Sequence, residues 1–478
     1  MNIVGPILFH CKTQAPVAAM CAPGHALPLV SYGRLEQFIY NVARHARAQG
    51  LGAGNVVALL IDEPILHAAF VLGLAYLGVE TVSVRTADVP KELGVDAVIT
   101  DKPQVFKNAI RVIIAGTNWL AGDGRPMPDH AAPAGGACRI ILTSGTTGDP
   151  KGVAFSHDML IERIARHNWT FGSGVPSCSR IFVDPGLGTA IGFLFWLYTL
   201  AKGGTVVVRG PDAVETMQAF ILYNVQCMVA SPAALAEFVG YYEEAPTLTA
   251  PLALVLSVGG PLPRSLSERL RARICSNLIA CYGSTEANIV ATAPAHAIAD
   301  TPGAVGTVTP GVTVSIVDRS GNPVPAGAEG LVRISGPYTV AGYRGDAEGA
   351  LTAFRDGWFY PGDIGRLTDD RLLVLSGREK EVLNLGGDKV SPERIEQVLA
   401  SFAGVRQAAA FAVPNAAGIE ELAVAVVAAS FDAEALRRHC ERELPAALVP
   451  ALFIQVADIP RNDMGKIDRR RLAGLLKA

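Results

Sequence analysis

The amino-acid sequence predicts a mixed α/β fold, with a large N-terminal domain of α/β layers built on parallel sheets and a small C-terminal α+β domain. Three patterns lead to this prediction. Short apolar strands alternate with amphipathic helices through about the first 300 residues, as is typical of parallel sheets. Valine-rich strands separated by Gly and Pro follow them. The remaining C-terminal segment returns to a mixture of helices and strands.

The expected domain boundaries follow from these changes of pattern. With 478 residues the chain is long enough for several packed cores. The large N-terminal domain is expected over residues 1–379, including a small β-rich subdomain at about 301–376. Residues 380–478 form the expected C-terminal domain.

The alternation of strands and helices can be located along the first part of the chain. Apolar residues at helical spacing begin at Tyr32 and stop at Gly50. The next predicted elements are strand 56–61, helix 65–77, strands 80–84, 97–100 and 112–115, strand 227–230, helix 232–242 and strand 254–258. Residues 186–201 carry no charge, but this stretch contains glycines and is too short to span a membrane, so it is predicted to be a buried core helix.

The later elements have a different texture. Strands are predicted at 313–317 and 330–335, separated by a turn-rich segment, and they define the β-rich subdomain. The C-terminal domain is predicted to contain helix 392–402, strands 407–414 and 421–429, and helix 432–444.

Charge and cysteine usage exclude several classes of protein. The chain has 41 Lys and Arg residues against 44 Asp and Glu, so its net charge of -3 gives no reason to expect a nucleic-acid partner. The eight cysteines form no CxxC pair and show no metal-ligand spacing, which favours reduced thiols. No Lys or Arg precedes Lys12, and Pro6 interrupts the N-terminal apolar run. No secretory leader is therefore predicted, and a cytoplasmic protein without a membrane span is expected.

The strongest chemical signal is a string rich in Gly, Thr and Lys after the apolar segment 139–142. It reads Thr143, Ser144, Gly145, Thr146, Thr147, Gly148, Asp149, Pro150, Lys151, Gly152. Glycines let backbone N–H groups approach phosphate oxygens, hydroxyls donate to them, and Lys151 adds a positive charge. The string is not a Walker loop, because Pro150 restricts the residue before it and Gly152 follows the lysine. A phosphate-binding loop is predicted, with an ordinary flexible turn as the alternative.

This string resembles the phosphate loop of the adenylate-forming superfamily, which includes acyl-CoA synthetases, peptide-synthetase adenylation domains and luciferases. Residues 282–286 resemble the family's aromatic-Gly-x-Thr-Glu element. The resemblance implies that Tyr282 stacks on adenine, Thr285 binds the α-phosphate and Glu286 holds Mg²⁺. It also implies nucleotide contact by Gly260, with Gly259 beside it at the acyl pocket. A carboxylate beside a triphosphate needs such a metal to avoid repulsion.

Two further segments complete the implied nucleotide site. Residues 357–363 resemble the family's Trp-Phe-x-Thr-Gly-Asp segment, so Asp363 is expected to accept hydrogen bonds from the ribose hydroxyls. Pro361 replaces the usual Thr, which removes one hydroxyl donor. Residues 377–380 resemble the junction into a C-terminal lid. There Arg378 is implied to contact ribose or phosphate, and Lys380 to serve as the hinge.

The C-terminal lid domain carries the remaining implied residues. Gly386 and Gly387 are expected to line the tunnel along which a thiol approaches. Residues 459–469 resemble the family's terminal Pro-x-x-x-x-Gly-Lys element. Lys466 is therefore implied to be catalytic, together with Thr285 and Glu286. It would reach the substrate carboxylate and the α-phosphate, where negative charge accumulates during the reaction.

The resemblance implies an ATP-dependent activation of a small-molecule carboxylic acid. The acid attacks the α-phosphate, pyrophosphate leaves, and the acyl-adenylate passes its acyl group to a thiol, with ATP and Mg²⁺ required and coenzyme A as the first choice of co-substrate. A separate acyl-carrier protein is the second choice of acceptor, which the basic run 469–471 could contact. Two different functions also stay open, a nucleotide-binding sensor without turnover and a luciferase-type oxygenase.

The acyl pocket departs from the family pattern. Many relatives place an aromatic residue and a His in the region of 182–193, but this chain has no His there. Asp184, Gly188 and Gly192 are the candidate pocket residues. The small residues predict a roomy and mostly apolar wall, which favours a fatty or aryl acid. Asp184 keeps an amino-acid substrate open, because it could bind an ammonium group.

Overall fold

The computed structural model describes most of the chain and allows its topology to be followed. The described residues are 1–86, 89–102, 111–127, 136–143, 151–171, 174–244, 252–379, 383–385, 388–390, 392–414, 420–461 and 467–476. Among them, none of the helices has both the length and the apolar content that crossing a membrane requires.

The N-terminal segment forms a mainly parallel sheet covered by helices. Its elements are α1 (Val4–Thr13), β1 (Ala18–Cys21), β2 (Leu29–Ser31), α2 (Tyr32–Ala48), β3 (Val56–Leu60), α3 (Pro64–Leu77), β4 (Glu80–Ser83), β5 (Ala97–Thr100), β6 (Arg111–Ile114), β7 (Ala137–Thr143) and β8 (Lys151–Ser156). Six strands form one sheet in the order β6-β5-β3-β4-β7-β8, in which only β8 is antiparallel to its neighbour. Every residue of β3 is buried because helices cover both faces of the sheet.

The next segment builds a second parallel sheet. Its elements are α4 (His157–Thr170), α5 (Gly174–Ser177), β9 (Arg180–Val183), α6 (Ala190–Ala201), β10 (Thr205–Val207), α7 (Ala213–Leu222), β11 (Cys227–Ala230), α8 (Pro232–Glu244), β12 (Leu254–Ser257), α9 (Arg264–Arg273) and β13 (Leu278–Ser284). The strand order β1-β10-β9-β11-β12-β13 is parallel throughout. The prediction of a helix from residue 186 was wrong by one turn. Thr189 caps the helix by accepting a hydrogen bond from the Gly192 backbone N–H at 3.1 Å.

The β-rich segment extends this second sheet rather than standing apart from it. Its elements are β14 (Asn288–Pro294), β15 (Ala304–Val308), β16 (Thr313–Val317), β17 (Gly330–Ser335), α10 (Ala347–Ala353), β18 (Phe354–Arg355), β19 (Trp358–Phe359), β20 (Asp363–Leu367) and β21 (Leu372–Arg378). Antiparallel pairing of β13 with β14 joins the two parts into one 15-stranded sheet. β13 therefore belongs to a parallel array on one side and an antiparallel array on the other.

The C-terminal segment has its own sheet and core. Its elements are β22 (Leu383–Leu385), β23 (Asp388–Val390), α11 (Pro392–Ala400), β24 (Val405–Pro414), β25 (Glu420–Ala428), α12 (Ala433–Glu443), β26 (Leu452–Gln455) and α13 (Arg469–Leu475). Along β25, Val424 and Val426 pack with α11 and α12, whereas Ala423 and Ala425 pack with α13 on the other face. The predicted α/β fold class with a small C-terminal α+β part is confirmed.

A buried histidine joins two helices of the large domain. The His167 ring of α4 stacks on Tyr198 of α6 at 5.1 Å and meets Phe195 edge-on at 4.8 Å. Its Nδ1–H donates to the Arg163 carbonyl at 2.9 Å, and no described residue accepts from Nε2. Burial lowers the pKa of His167 from 6.5 to about 4, so the ring is neutral in the folded protein.

We expect His167 to make the folded state sensitive to acid. Below about pH 6.5 the unfolded chain binds a proton at this ring, whereas the folded protein does so only near pH 4. The free energy of unfolding should therefore fall across this interval, by up to roughly 3 kcal/mol from this group. His167→Gln, which keeps a donor but cannot titrate, should flatten the pH profile measured by urea unfolding. An equally steep profile in the variant would contradict the assignment.

Candidate functional site

The candidate site lies where neighbouring parallel strands end. In open α/β sheets, ligands bind in the crevice outside the carboxyl ends of the strands. The sequence-predicted residues of the second sheet share this location. They are Asp184 after β9, Gly259 and Gly260 beyond β12, Tyr282 near the end of β13, and Thr285 and Glu286 directly after β13.

Three predicted nucleotide residues form one cluster. Asp363 is only 3% exposed, the Tyr282 hydroxyl donates to its Oδ2, and Arg378 Nε donates to its Oδ1 at 3.0 Å. The pairing of β20 with β21 places Asp363 opposite Arg378. Burial raises the pKa of Tyr282 well above its usual value, so its hydroxyl stays a donor. Each carboxylate oxygen keeps a further lone pair, with which it can accept a hydrogen bond from a sugar hydroxyl.

Glu286 presents a carboxylate suited to a metal that arrives with a nucleotide. Its side chain is buried, and Oε1 accepts a hydrogen bond from the Tyr343 hydroxyl at 2.8 Å. No described residue donates to Oε2. Mg²⁺ commonly takes one or two protein carboxylates together with substrate phosphates and water. The described residues contain no cluster of three or more metal-ligating side chains, so the donor set fits a metal bound jointly by protein and phosphate.

A buried arginine holds the backbone that carries these residues. Arg163 on α4 is fully buried and donates to the carbonyl oxygens of Thr285 and Glu286, both at 2.8 Å. It also donates to the Tyr338 carbonyl at 2.6 Å, and its guanidinium lies 4.6 Å from the centre of the Phe155 ring. The arginine therefore fixes the position of the Thr285–Glu286 turn from below.

Lys151 is held by the same segment that contacts Glu286. Its Nζ lies 2.7 Å from a carboxylate oxygen of Asp346 and 4.7 Å from the centre of the Tyr343 ring. The Lys151 contact and the Gly349 backbone N–H keep the pKa of Asp346 below its usual value. Thr143 lies opposite Lys151 in the β7–β8 pair and donates to its carbonyl at 3.3 Å. Lys151 and Glu286 thus share Tyr343 as a neighbour.

The three candidate acyl-pocket residues have different surroundings. Asp184 pairs with Arg209 at 2.8 Å, so its charge is already compensated, which argues against a free ammonium-binding carboxylate. A Cβ on Gly192 would lie 2.2 Å from the Pro185 carbonyl oxygen, so this glycine lets α6 approach the preceding loop. Gly188 is exposed, and a Cβ there would meet Ser83 Cβ at an ordinary 3.7 Å.

Several predicted site residues lie outside the described residues. They are Ser144, Gly145, Thr146, Thr147 and Gly148 of the phosphate loop, the hinge Lys380, the tunnel residues Gly386 and Gly387, and the catalytic candidate Lys466. Their roles remain predictions.

Sequence reasoning did not identify Arg163, Tyr343 or Asp346. Arg163 occupies the buried face of α4, where Leu160 and Ile164 are its apolar neighbours. A single cation on an apolar helix face was the available signal. Tyr343 and Asp346 lie in a Gly-rich turn segment that carries no periodic pattern.

We expect Arg163→Met to destabilise the protein strongly, because three buried carbonyl groups lose their donor. Each buried acceptor left unpaired costs about 1–3 kcal/mol. Arg166→Met is a matched control on the same helix, because Arg166 is also buried but its guanidinium mainly faces the Tyr338 ring at 4.8 Å. Urea unfolding should give a loss at Arg163 at least roughly 3 kcal/mol larger than at Arg166. Equal losses would show that the clamp contributes nothing specific.

Comparison with known proteins places this arrangement. The chain is 28% identical to 3-hydroxybenzoate–CoA ligase of Aromatoleum sp. (strain CIB), an alignment that covers 100% of this chain and 96% of that protein. It is also 28% identical to the fatty acid–[acyl-carrier-protein] ligase MmaC of Mycobacterium marinum, over 97% of this chain and 95% of that protein.

A solved structure and two family models agree with these relatives. The o-succinylbenzoate coenzyme A synthetase MenE of Bacillus subtilis, in complex with ATP and magnesium ion, matches the fold with a TM-score of 0.83 at 20% identity, over 98% of each chain. The model of the AMP-binding enzyme C-terminal domain matches residues 394–466. The model of the AMP-binding enzymes matches residues 18–344, and the chain therefore belongs to the family of AMP-binding enzymes.

Proposed function

We propose that this chain is an AMP-forming ligase that activates a carboxylic acid with ATP, releases pyrophosphate and passes the acyl group from the acyl-adenylate to a thiol. The observation that carries the proposal is the placement of Tyr282, Thr285 and Glu286 at the carboxyl end of β13, opposite Asp363. This edge combines a sugar-binding carboxylate with a metal-binding carboxylate, which is what an adenylate-forming reaction needs.

In the first half-reaction the residues bind and orient ATP. Asp363 accepts hydrogen bonds from the ribose hydroxyls, the Tyr282 ring stacks on adenine, and Thr285 binds the α-phosphate. Bound Mg²⁺ supplies a positive charge that offsets repulsion between Glu286 and the phosphates. The protein forms no covalent bond to the substrate, so positioning and electrostatics supply the rate enhancement.

The second half-reaction requires a change at the C-terminal lid, which we place at residues 380–478 after a large domain at 1–379. Lys466 stabilises charge during adenylation and then withdraws as the lid rotates about Lys380. Gly386 and Gly387 then line the path of the incoming thiol. Glycines suit this position because they let another group approach the backbone closely.

Coenzyme A is the acceptor we favour over a carrier protein. The basic run that could contact an acidic carrier begins at Arg469, which pairs with Glu396 at 2.7 Å and donates to the Ala410 carbonyl. Part of that positive charge is therefore used inside the lid. Transfer to a carrier protein, as the name of the M. marinum relative describes, remains the second candidate.

We place the reaction in the cytoplasm. All eight cysteines are free thiols, and seven of them are buried. Reduced thiols are the usual state in a compartment that also supplies ATP and coenzyme A.

A panel of carboxylic acids tests the proposed function directly. Pyrophosphate release would be measured with ATP and Mg²⁺ for fatty, aryl and amino acids, with and without coenzyme A. We expect release with at least one acid and thioester formation only when coenzyme A is present. Failure with every acid would overturn the proposal.

Glu286→Gln should raise the Mg²⁺ concentration needed for half-maximal pyrophosphate release by roughly tenfold or more. The amide keeps the shape of the side chain and an acceptor for Tyr343, but it lacks the charge that holds the metal. Glu268→Gln, at an exposed position of α9, serves as the control. An unchanged Mg²⁺ titration would place the metal elsewhere.

Lys466→Ala should separate the two half-reactions. Losing one electrostatic contact to the forming acyl-phosphate should lower adenylate formation about 10²-fold. Thioester formation from pre-made acyl-adenylate should be much less affected, because that step follows withdrawal of the lysine. Lys12→Ala, at an exposed position of α1, is the control. Equal losses in both assays would refute the assigned role.

A further inference from the structure

Arg139 is a buried cation between the two sheets of the large domain. It lies on β7 and is fully buried. Its guanidinium donates to the hydroxyl of Thr81 at 3.1 Å and to the hydroxyl of Ser83, both on the neighbouring strand β4. It also donates to the Leu187 carbonyl at 2.8 Å, and it lies 5.1 Å from the centre of the Phe193 ring.

These contacts leave the charge of Arg139 uncompensated. No carboxylate of the described residues forms an ion pair with it, and its Nε–H has no acceptor there. Arg209 and Arg344, by contrast, each pair with a carboxylate. Burial lowers the pKa of Arg139 to about 9, so the group remains a cation at neutral pH. Buried charges are normally paired, because an uncompensated charge is costly to remove from water.

A second unpaired donor lies on the same wall. Trp196 of α6 is 3% exposed, and its Nε1–H has no acceptor among the described residues. A small apolar cavity is lined by Trp196 together with Leu187 and Phe193, the two residues that also contact Arg139. This wall therefore presents two N–H donors that lack an acceptor.

An opening leads from the surface toward Arg139. Ser83 and His67 are half-buried, His67 Nε2 hydrogen-bonds with the Ser83 hydroxyl at 2.6 Å, and Gly188 opposite them is exposed. A Cβ on Gly188 would still lie 3.7 Å from Ser83 Cβ, so the gap is not closed by backbone. A ligand entering between Ser83 and Gly188 meets the guanidinium directly behind the serine hydroxyl.

We propose that Arg139 and Ser83 bind a second carboxylate on the acid that this chain activates, which makes the preferred substrate a dicarboxylic acid with an apolar body. The proposal rests on the proposed function, because it concerns the acid of that reaction. A carboxylate supplies the negative charge and the acceptors that Arg139 lacks, and Arg binds carboxylates in a bidentate manner.

The position of Arg139 indicates the size of such an acid. Arg139 stands four residues before Thr143, where the phosphate loop begins, so the two are about 13 Å apart along the strand. An apolar body on the order of 10 Å long could place one carboxylate at Arg139 and the other at the phosphate site. This span agrees with the mostly apolar wall formed by Leu187 and Phe193.

The other explanation of Arg139 is purely structural. In that case the side chain only ties β4 to the loop that carries Leu187, and the chemistry of the acid is irrelevant to it. The two explanations differ in which substrates lose activity when the guanidinium is removed.

The experiment compares straight-chain dicarboxylic acids of about six to ten carbons with the monocarboxylic acids of the same length. The kcat/KM for pyrophosphate release would be measured for the wild type, Arg139→Met, Arg139→Lys and Ser83→Ala. Thr81→Val is the matched control, because it removes a hydroxyl from Arg139 at a fully buried position away from the opening.

We expect the wild type to favour a diacid over its monoacid by about 10- to 100-fold, the range for a hydrogen bond to a charged group. Arg139→Met should abolish that preference mainly by lowering the value for the diacid, and Ser83→Ala should reduce it. Arg139→Lys should retain part of it, and Thr81→Val should lower both acids equally. Thermal unfolding checks that each variant is folded. If Arg139→Met does not fold, the preferences of Arg139→Lys and Ser83→Ala decide the question.

Two results would overturn the inference while leaving the proposed function intact. One is a wild type that activates monoacids as well as or better than diacids. The other is an equal loss for both acids in the Arg139 and Ser83 variants. A wild type that releases pyrophosphate with no acid at all would instead refute the proposed function and this inference together.

Discussion

The contact of Arg163 with three backbone carbonyls is the constraint on which the rest of the site depends. Its guanidinium is fully withdrawn from water yet meets neutral oxygens of Thr285, Glu286 and Tyr338. Burying a cation in this way costs free energy, which the packing of α4 must offset. In return, segments distant in sequence are held in one arrangement. Because Arg163 fixes the backbone of Glu286 and Tyr343 fixes its side chain, the carboxylate is oriented before any metal or nucleotide arrives.

Much of the fold could be predicted because local pattern determines it. The predicted strands 313–317 and 330–335 match the observed β16 and β17 residue for residue. The start of α6 could not be located, because uncharged residues continue from the helix into the loop before it. The continuity of the 15-stranded sheet was also hidden, since pairing between strands such as β15 and β21 leaves no mark on either sequence.

The candidate site was predictable where residues stand in recognisable strings. Tyr282 and Asp363, 81 residues apart, were each singled out as nucleotide residues, and the structure joins them by a hydrogen bond. Arg139 and Arg163 were not found, because an arginine in a strand or an amphipathic helix usually faces solvent. Only the three-dimensional structure shows that both are fully buried and which oxygens they contact.

The ion pair between Lys151 and Asp346 has a consequence for how the protein takes up its nucleotide. Because Asp346 already neutralises the lysine, an arriving phosphate replaces one anion with another instead of meeting a bare positive charge. Part of the attraction is spent on releasing the carboxylate, so the resting protein holds inorganic phosphate only weakly. A ligand must offer further contacts, at the sugar and the base, to complete the exchange. The pair thereby acts as a threshold that favours a whole nucleotide over its fragments.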